Sequence, residues 1–260
     1  MSSQVALAVP LGVVIGLIVG AVGGGGATLA LPVLVYLLGE QVDQATTASL
    51  IVIAVAAAVG AGALAARGHV CWRIALLFAG PAAAGSLVGA LANREAGART
   101  LIVGFVPVML AAATVTWRRA GSTRTDAAGP CPPPRPARTA LAGVGAGALT
   151  GFFGVGGGFL VVPLLTVLLG FRFRRAVATS LVIVTLTGLA ALAAHVWLGA
   201  VVDVPVTAAL SGATGAGALA GSAVAQRVPQ AALGRAFALL VAALAVFLLV
   251  DVLALGGPPG

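Results

Sequence analysis

Two clusters of glycine sit inside otherwise apolar stretches: Gly23-Gly24-Gly25-Gly26, and Gly154, Gly156, Gly157 and Gly158. Glycine costs a helix interior roughly 1 kcal/mol relative to alanine, so several together break a helix. The helix that restarts after such a break has unpaired N–H groups in its first turn and about half a positive charge at that end. With no Cβ in the way, an anion can approach these groups closely. The chemistry on offer is reversible anion binding without a fixed full charge. Hydroxyls follow each cluster: Thr28, Thr46, Thr47 and Ser49 in one half of the chain, Thr179 and Ser180 in the other. The candidate anion-binding set is Gly23, Gly24, Gly25, Gly26, Thr28 and Ser49 with Gly154, Gly156, Gly157, Gly158 and Ser180. Pro32 and Pro163 follow the clusters and are expected to break the helix there by kinking or restarting it. Two competing uses of these residue types bear on the set. Gly12, Gly16 and Gly20 are spaced by four, the small-residue pattern of close helix packing in lipid, and are assigned to packing. Serine and threonine in membrane helices also commonly donate to the carbonyl one turn earlier.

The elements that must position these residues follow from composition. The 260 residues are 60% hydrophobic and 8% charged, against about 25% charged in an ordinary soluble domain. Ala45–Ala66, Ile74–Ala92, Thr100–Trp117, Ala176–Val202 and Val204–Gln226 hold no charge, and each reaches or approaches the ~20 residues that cross a bilayer. The short alternating segments of a membrane β-barrel are absent. The expected class is an all-α polytopic membrane protein. Trp72, Trp117 and Trp197 lie at span ends, as in an aromatic belt, and His195 is read as an interfacial anchor beside Trp197. The net charge is +8 and every basic residue is arginine. These arginines stand singly between apolar spans, without the interleaved aromatics of a nucleic-acid site. The expected partners are the lipid bilayer and a small anion, with no nucleic acid. The N-terminus lacks a basic n-region, so no signal peptide is expected. Cys71 and Cys131 have no CxxC neighbour and are read as bystanders.

The chain repeats itself. Gly12, Gly16, Gly20, Gly23, Gly25, Gly26, Pro32 and Gly39 match Gly143, Gly147, Gly151, Gly154, Gly156, Gly157, Pro163 and Gly170 at a constant offset of 131. Ala45–Leu50 then matches Ala176–Leu181. After one inserted residue, Gly80, Gly85, Gly89 and Phe105 match Gly212, Gly217, Gly221 and Phe237. The expected organisation is a first membrane repeat over 1–117, a Pro/Arg-rich linker over 118–138 and a second membrane repeat over 139–260.

Twin glycine motifs, each followed by proline and an Ala-x-x-x-Ser-Leu segment, resemble the sulfite exporter TauE/SafE family, and the resemblance covers both halves. It implies an inner-membrane transporter of small sulfur-containing anions such as sulfite or organosulfonates.

Arginine placement predicts how the halves face, because short cytoplasmic loops retain arginine. If each glycine segment crosses once, the arginines divide evenly between the two sides. If each turns back as a hairpin, 12 fall on the side of the linker and only Arg94 and Arg99 on the other. This predicts two inverted repeats, each a glycine-broken hairpin plus three transmembrane helices, giving eight to ten helical pieces. The linker is cytoplasmic and both termini are outside. Inverted repeats place a transport site at mid-membrane, where broken helices meet.

Glu40, Asp43, Glu95, Asp126, Asp203 and Asp251 all fall away from span centres, where ion-coupled transporters keep an ionisable group. Uncoupled export is therefore expected, since an anion leaving a negative interior gains about 2.3 kcal/mol per charge per 100 mV. No enzymatic role is expected: His69 is in a loop, and GxSxG and HExxH are absent. No metal site and no cofactor are expected. A channel-like permease for another small anion and a non-transporting membrane scaffold are the alternative readings.

Overall fold

The structure is a computed structural model that describes residues 3–24, 30, 33–37, 39, 42–93, 98–120, 130–153, 158–197 and 203–254. The described residues form helices throughout. In chain order these are α1 (Ser3–Val22), a five-residue π-helical turn (Val33–Leu37), α2 (Val42–Ala65), α3 (Trp72–Asn93), α4 (Ala98–Ala120), α5 (Pro136–Phe153), α6 (Gly158–Val167), α7 (Phe173–Trp197), α8 (Val204–Arg227) and α9 (Gln230–Ala254). Five of them carry segments long and apolar enough to cross a membrane: Gln44–Ala65, Trp72–Ala92, Phe173–Ala193, Val204–Arg227 and Gln230–Val250. The α1 segment Leu7–Val22 and all of α6 are shorter apolar pieces. Large apolar side chains face outward as well as inward. Leu76, Leu87, Val88 and Leu91 are exposed on α3, and Leu239, Val246, Phe247 and Val250 on α9. Hydrocarbon satisfies such a surface, as expected of a multi-pass membrane protein.

The sequence repeat is also a repeat of elements. Shifted by the same offset, α1 falls on α5, the π turn on α6, α2 on α7, α3 on α8 and α4 on α9. Packing crosses between the halves. The most extensive contacts are α3 with α5 and α1 with α8, followed by α4 with α9, α2 with α7 and α2 with α8. Each half thus lays its first helix against the third long helix of the other.

Glycine makes these pairings close. A Cβ on Gly16 or Gly20 would strike the carbonyl oxygen of Thr214 or Ala218 on α8, and one on Gly217 or Gly221 would strike that of Val13 or Leu17 on α1. The equivalents Gly147, Gly151, Gly85 and Gly89 meet Ala82, Ser86, Val144 and Ala148 between α5 and α3 in the same way. In lipid no hydrophobic effect drives helices together, so van der Waals contact between bare backbones takes its place.

Helix ends gather at one end of the bundle through arginine. Arg174 Nη2 donates to the carbonyls of Ala225, Gln226 and Val228 at 3.3, 3.5 and 3.1 Å. Arg67 Nη1 donates to Ser222 at 3.4 Å. The Arg174 contacts satisfy carbonyls that the end of α8 leaves without helical partners. Arg119 Nη1 does the same for Thr166 of α6 at 2.9 Å. The guanidinium of Arg235 lies 5.8 Å from the ring centroid of Trp117, a cation–π distance. Trp72, Trp117 and Trp197 are exposed at helix ends.

The cysteines require a correction. They are not bystanders: Cys71 and Cys131 form a disulfide, with Cα atoms 5.9 Å apart across a sequence separation of 60. The segment before α5 runs back over the α2–α3 loop and brings the two together. Arg175 Nη1 spans the junction, 3.2 Å from the Gly68 carbonyl and 3.3 Å from Cys131 Sγ.

In this loop, burial holds His69 below the usual histidine pKa of 6.5, and the charges of Arg175, Arg174 and Arg67 add to the effect. The folded chain therefore binds a proton less readily there than the unfolded chain does. The resulting stability is fully present above 6.5 and is lost as pH falls toward the lowered value. Melting temperature should drop between about pH 7.5 and 5.5, and the drop should be smaller in His69→Gln. Equal drops in the two proteins would refute the assignment.

Candidate functional site

The two glycine clusters meet. Gly23 has φ +86°, in the left-handed region that glycine enters without penalty, and there the chain leaves α1. A Cβ on Gly23 would come within 2.9 Å of Ser180 Oγ and 3.3 Å of Val162 Cγ2. One on Gly24 would come within 2.6 Å of Gly158 Cα, and one on Gly158 would strike the Gly24 carbonyl oxygen. Gly23, Gly24, Gly158 and Ser180 are therefore gathered at one point between the halves. Gly25, Gly26, Thr28, Pro32, Gly154, Gly156 and Gly157 lie outside the described residues.

α6 begins at Gly158, at the point of this contact. The N–H groups of its first turn have no partner within the helix. Phe105 of α4 packs against the end of α5 and the start of α6. Its ring centroid is 5.0 Å from that of Phe153, at the end of α5, and 5.2 Å from that of Phe159, at the start of α6. Pro163 lies inside α6, which runs on to Val167. It removes one N–H from the helix, which continues past it.

A cavity of about 140 Å³ opens beside this first turn. Gly158 and Val161 line it together with Phe78 and Ala82 of α3, Gly147 and Thr150 of α5, and Ile183 and Thr187 of α7. It is large against the ~30 Å³ that one water occupies in the liquid. Its hydroxyls are engaged: Ser86 donates to Ala83, Thr150 to Ala146 and Thr187 to Ile183, at 2.8, 2.7 and 2.9 Å. Each can turn to an anion only by releasing its carbonyl.

The sequence-predicted serines behave in the same way. Ser49 donates to Thr46 and Ser180 to Val177, at 2.7 and 2.8 Å. Ser180 nevertheless touches the glycine junction, whereas Ser49 does not line the cavity, although its neighbour Leu50 does. Thr179 faces elsewhere: its hydroxyl accepts the Cys71 N–H at 3.2 Å. Thr150 and Ser86 were missed by sequence reasoning. A signal for Thr150 existed, since it shares the small-residue face of Ala146 and Gly147 at helical spacing.

Asp203 caps α8, its side chain accepting the Val206 N–H at 3.2 Å. The side chains of His195, Asp43 and Asp251, together with Glu40, Glu95 and Asp126, lie outside the described residues.

Comparison with known proteins agrees with this architecture. The profile of the sulfite exporter TauE/SafE family matches residues 8–248. A "Probable membrane transporter protein" of Xylella fastidiosa strain Temecula1 is 32% identical over 173 residues, which is 64% of this chain and 64% of that protein. One with the same description from strain 9a5c is 31% identical over 169 residues, again 64% of each. The match thus spans just under two thirds of these relatives' length. No solved structure matches the chain. With a family match across nearly its whole length, the chain belongs to the sulfite exporter TauE/SafE family.

Proposed function

We propose that this chain is a non-enzymatic transporter of small sulfur-containing anions such as sulfite or organosulfonates, and that it acts as an exporter from the cell through the inner membrane. The observation that carries the site is the first turn of α6. It starts at Gly158 against Gly24 of the other half and borders a cavity. An anion there meets first-turn N–H groups that have no partner within α6, and the positive end of a helix dipole. The apolar walls exclude competing water, so partial charges act strongly. A site without a fixed cation also lets its ligand go.

We further read the halves as inverted repeats of one membrane segment each, joined by the linker, with the linker cytoplasmic and both termini outside. The gathering of helix ends supports this. The start of α5 and the end of α6 line one pocket, which is what a hairpin of the pair would require. The start of α7 and the end of α8 meet the same face through Arg174 and Arg175. That face holds 12 of the 14 arginines in the reading above, and cytoplasmic loops are the ones enriched in arginine. A negative interior then drives anions outward without a coupling ion.

The test is efflux from proteoliposomes loaded in turn with sulfite, an organosulfonate, sulfate and formate, under a negative-inside potential. Saturable, potential-driven efflux of a sulfur oxyanion is expected. Efflux of formate alone would support the channel-like alternative for another anion, and no efflux of any anion would refute transport of this class.

A further inference from the structure

The Cys71–Cys131 disulfide borders a second pocket, of about 530 Å³, away from the membrane cavity. Cys131, Arg135, Thr139 and Arg172 line it. Cys131 is exposed and lines the pocket, while Cys71 is only 4% exposed, so Cys131 is the half of the disulfide that faces an incoming ligand. Thr139 is fully buried, and its hydroxyl has no hydrogen-bond partner. Two guanidinium groups, an unspent hydroxyl and an electrophilic sulfur thus share one cavity, which is a complement for a nucleophilic oxyanion.

The far sulfur is prepared as a leaving group. Cys71 directly precedes α3, and its carbonyl accepts the N–H groups of Ile74 and Ala75 at 3.1 and 3.0 Å. A thiolate there sits at a helix N-terminus, where the dipole favours negative charge. Arg175 Nη1 is 3.8 Å from Cys71 Sγ. A sulfur whose departing charge is stabilised leaves a disulfide faster.

We propose that this pocket admits sulfite and that sulfite cleaves the disulfide at Cys131. The inference rests on the sulfur-anion reading of the transport site. The lone pair on the sulfite sulfur forms a bond to Cys131 Sγ, the Cys71–Cys131 bond breaks, and its electron pair leaves on Cys71 Sγ as a thiolate beside Arg175. The products are an S-sulfonate on Cys131 and a free Cys71. No oxidant, reductant or proton enters. Return attack by the Cys71 thiolate on Cys131 Sγ expels sulfite and restores the bond, so the modification follows sulfite concentration. Sulfate and sulfonates lack a lone pair on sulfur and cannot take this step. On a cytoplasmic face, where stable disulfides are rare and those present are transient or sensing, such a bond reports the substrate. It also ties the segment leading into α5 to the start of α3, and both helices line the membrane cavity.

The test uses the purified full-length chain, with sulfite, sulfate or methanesulfonate, read by peptide mass and by thiol labelling of Cys71. We expect one SO₃ adduct on Cys131 with sulfite alone, formed roughly tenfold faster than on oxidised glutathione at the same pH. Arg175→Gln should slow it roughly three- to tenfold, and Arg175→Lys should restore most of the rate. Adduct on Cys71, a rate no faster than on glutathione, indifference to Arg175→Gln, or two free thiols before sulfite is added would each overturn the proposal. Failure of the transport reading is distinguishable. Sulfite efflux without adduct sinks this inference alone, whereas adduct without efflux of any sulfur anion sinks transport alone.

Discussion

Gly147→Leu should leave the chain unable to assemble its bundle. The Cβ alone would occupy the space of the Ala82 carbonyl oxygen, and the atoms in the way are backbone on both helices. A flexible side chain could swing aside; a helical carbonyl already bonded within its own turn cannot. Relief requires α3 and α5 to separate along their whole contact, which is among the most extensive in the protein. Overpacking typically costs about 1–3 kcal/mol, and a clash between two rigid backbones belongs at or above the top of that range. The expected result is loss of the monodisperse peak in detergent gel filtration. Gly145→Ala, two residues away with open space around its Cβ position, should behave as wild type. A well-folded Gly147→Leu protein would show that the α3–α5 contact does not hold the bundle.

Gly158→Ala should cut transport sharply while sparing the fold. The added methyl meets the Gly24 carbonyl where the two glycine segments cross. Here the contact is local, at the start of a ten-residue helix and not along a long interface. The strain can be relieved by backing α6 away from Gly24, which moves its first N–H groups from the cavity. A cost of about 1–3 kcal/mol translates into a roughly five- to 150-fold loss of the binding arrangement. Efflux of the sulfur anion should fall by that factor with an unchanged gel-filtration profile. Wild-type efflux from Gly158→Ala would remove the α6 first turn from the mechanism.

The repeat of elements, the spans and the end of α1 at Gly23 were legible because each follows from local composition or spacing. The packing role of Gly16, Gly20, Gly147 and Gly151 was legible as a property of each helix, but its partner was not. Spacing tells that a helix has a groove; it does not tell that α1 lies in the groove of α8, since that choice depends on how both halves fold around one another. The disulfide was illegible for a related reason. Cys71 and Cys131 meet only because the segment before α5 runs back across the α2–α3 loop, and nothing near either residue records that path. The serines showed a third limit. Their matching positions marked Ser49 and Ser180 alike, and among the described residues Ser180 touches the glycine junction at Gly23. That contact joins the two halves, so position along one helix could not reveal it.

The exchange of first helices has a consequence for how the protein is made. α1 leaves the ribosome early, but the α8 groove that receives Gly16 and Gly20 is encoded roughly 200 residues later, about 10–40 s at ordinary synthesis rates. Until then the narrow face of α1 has only lipid against it. Insertion and assembly are therefore separate events in time, and neither half can finish its own packing. A nascent chain stalled before residue 204 would hold several helices in the bilayer, with α1 still waiting for its counterpart.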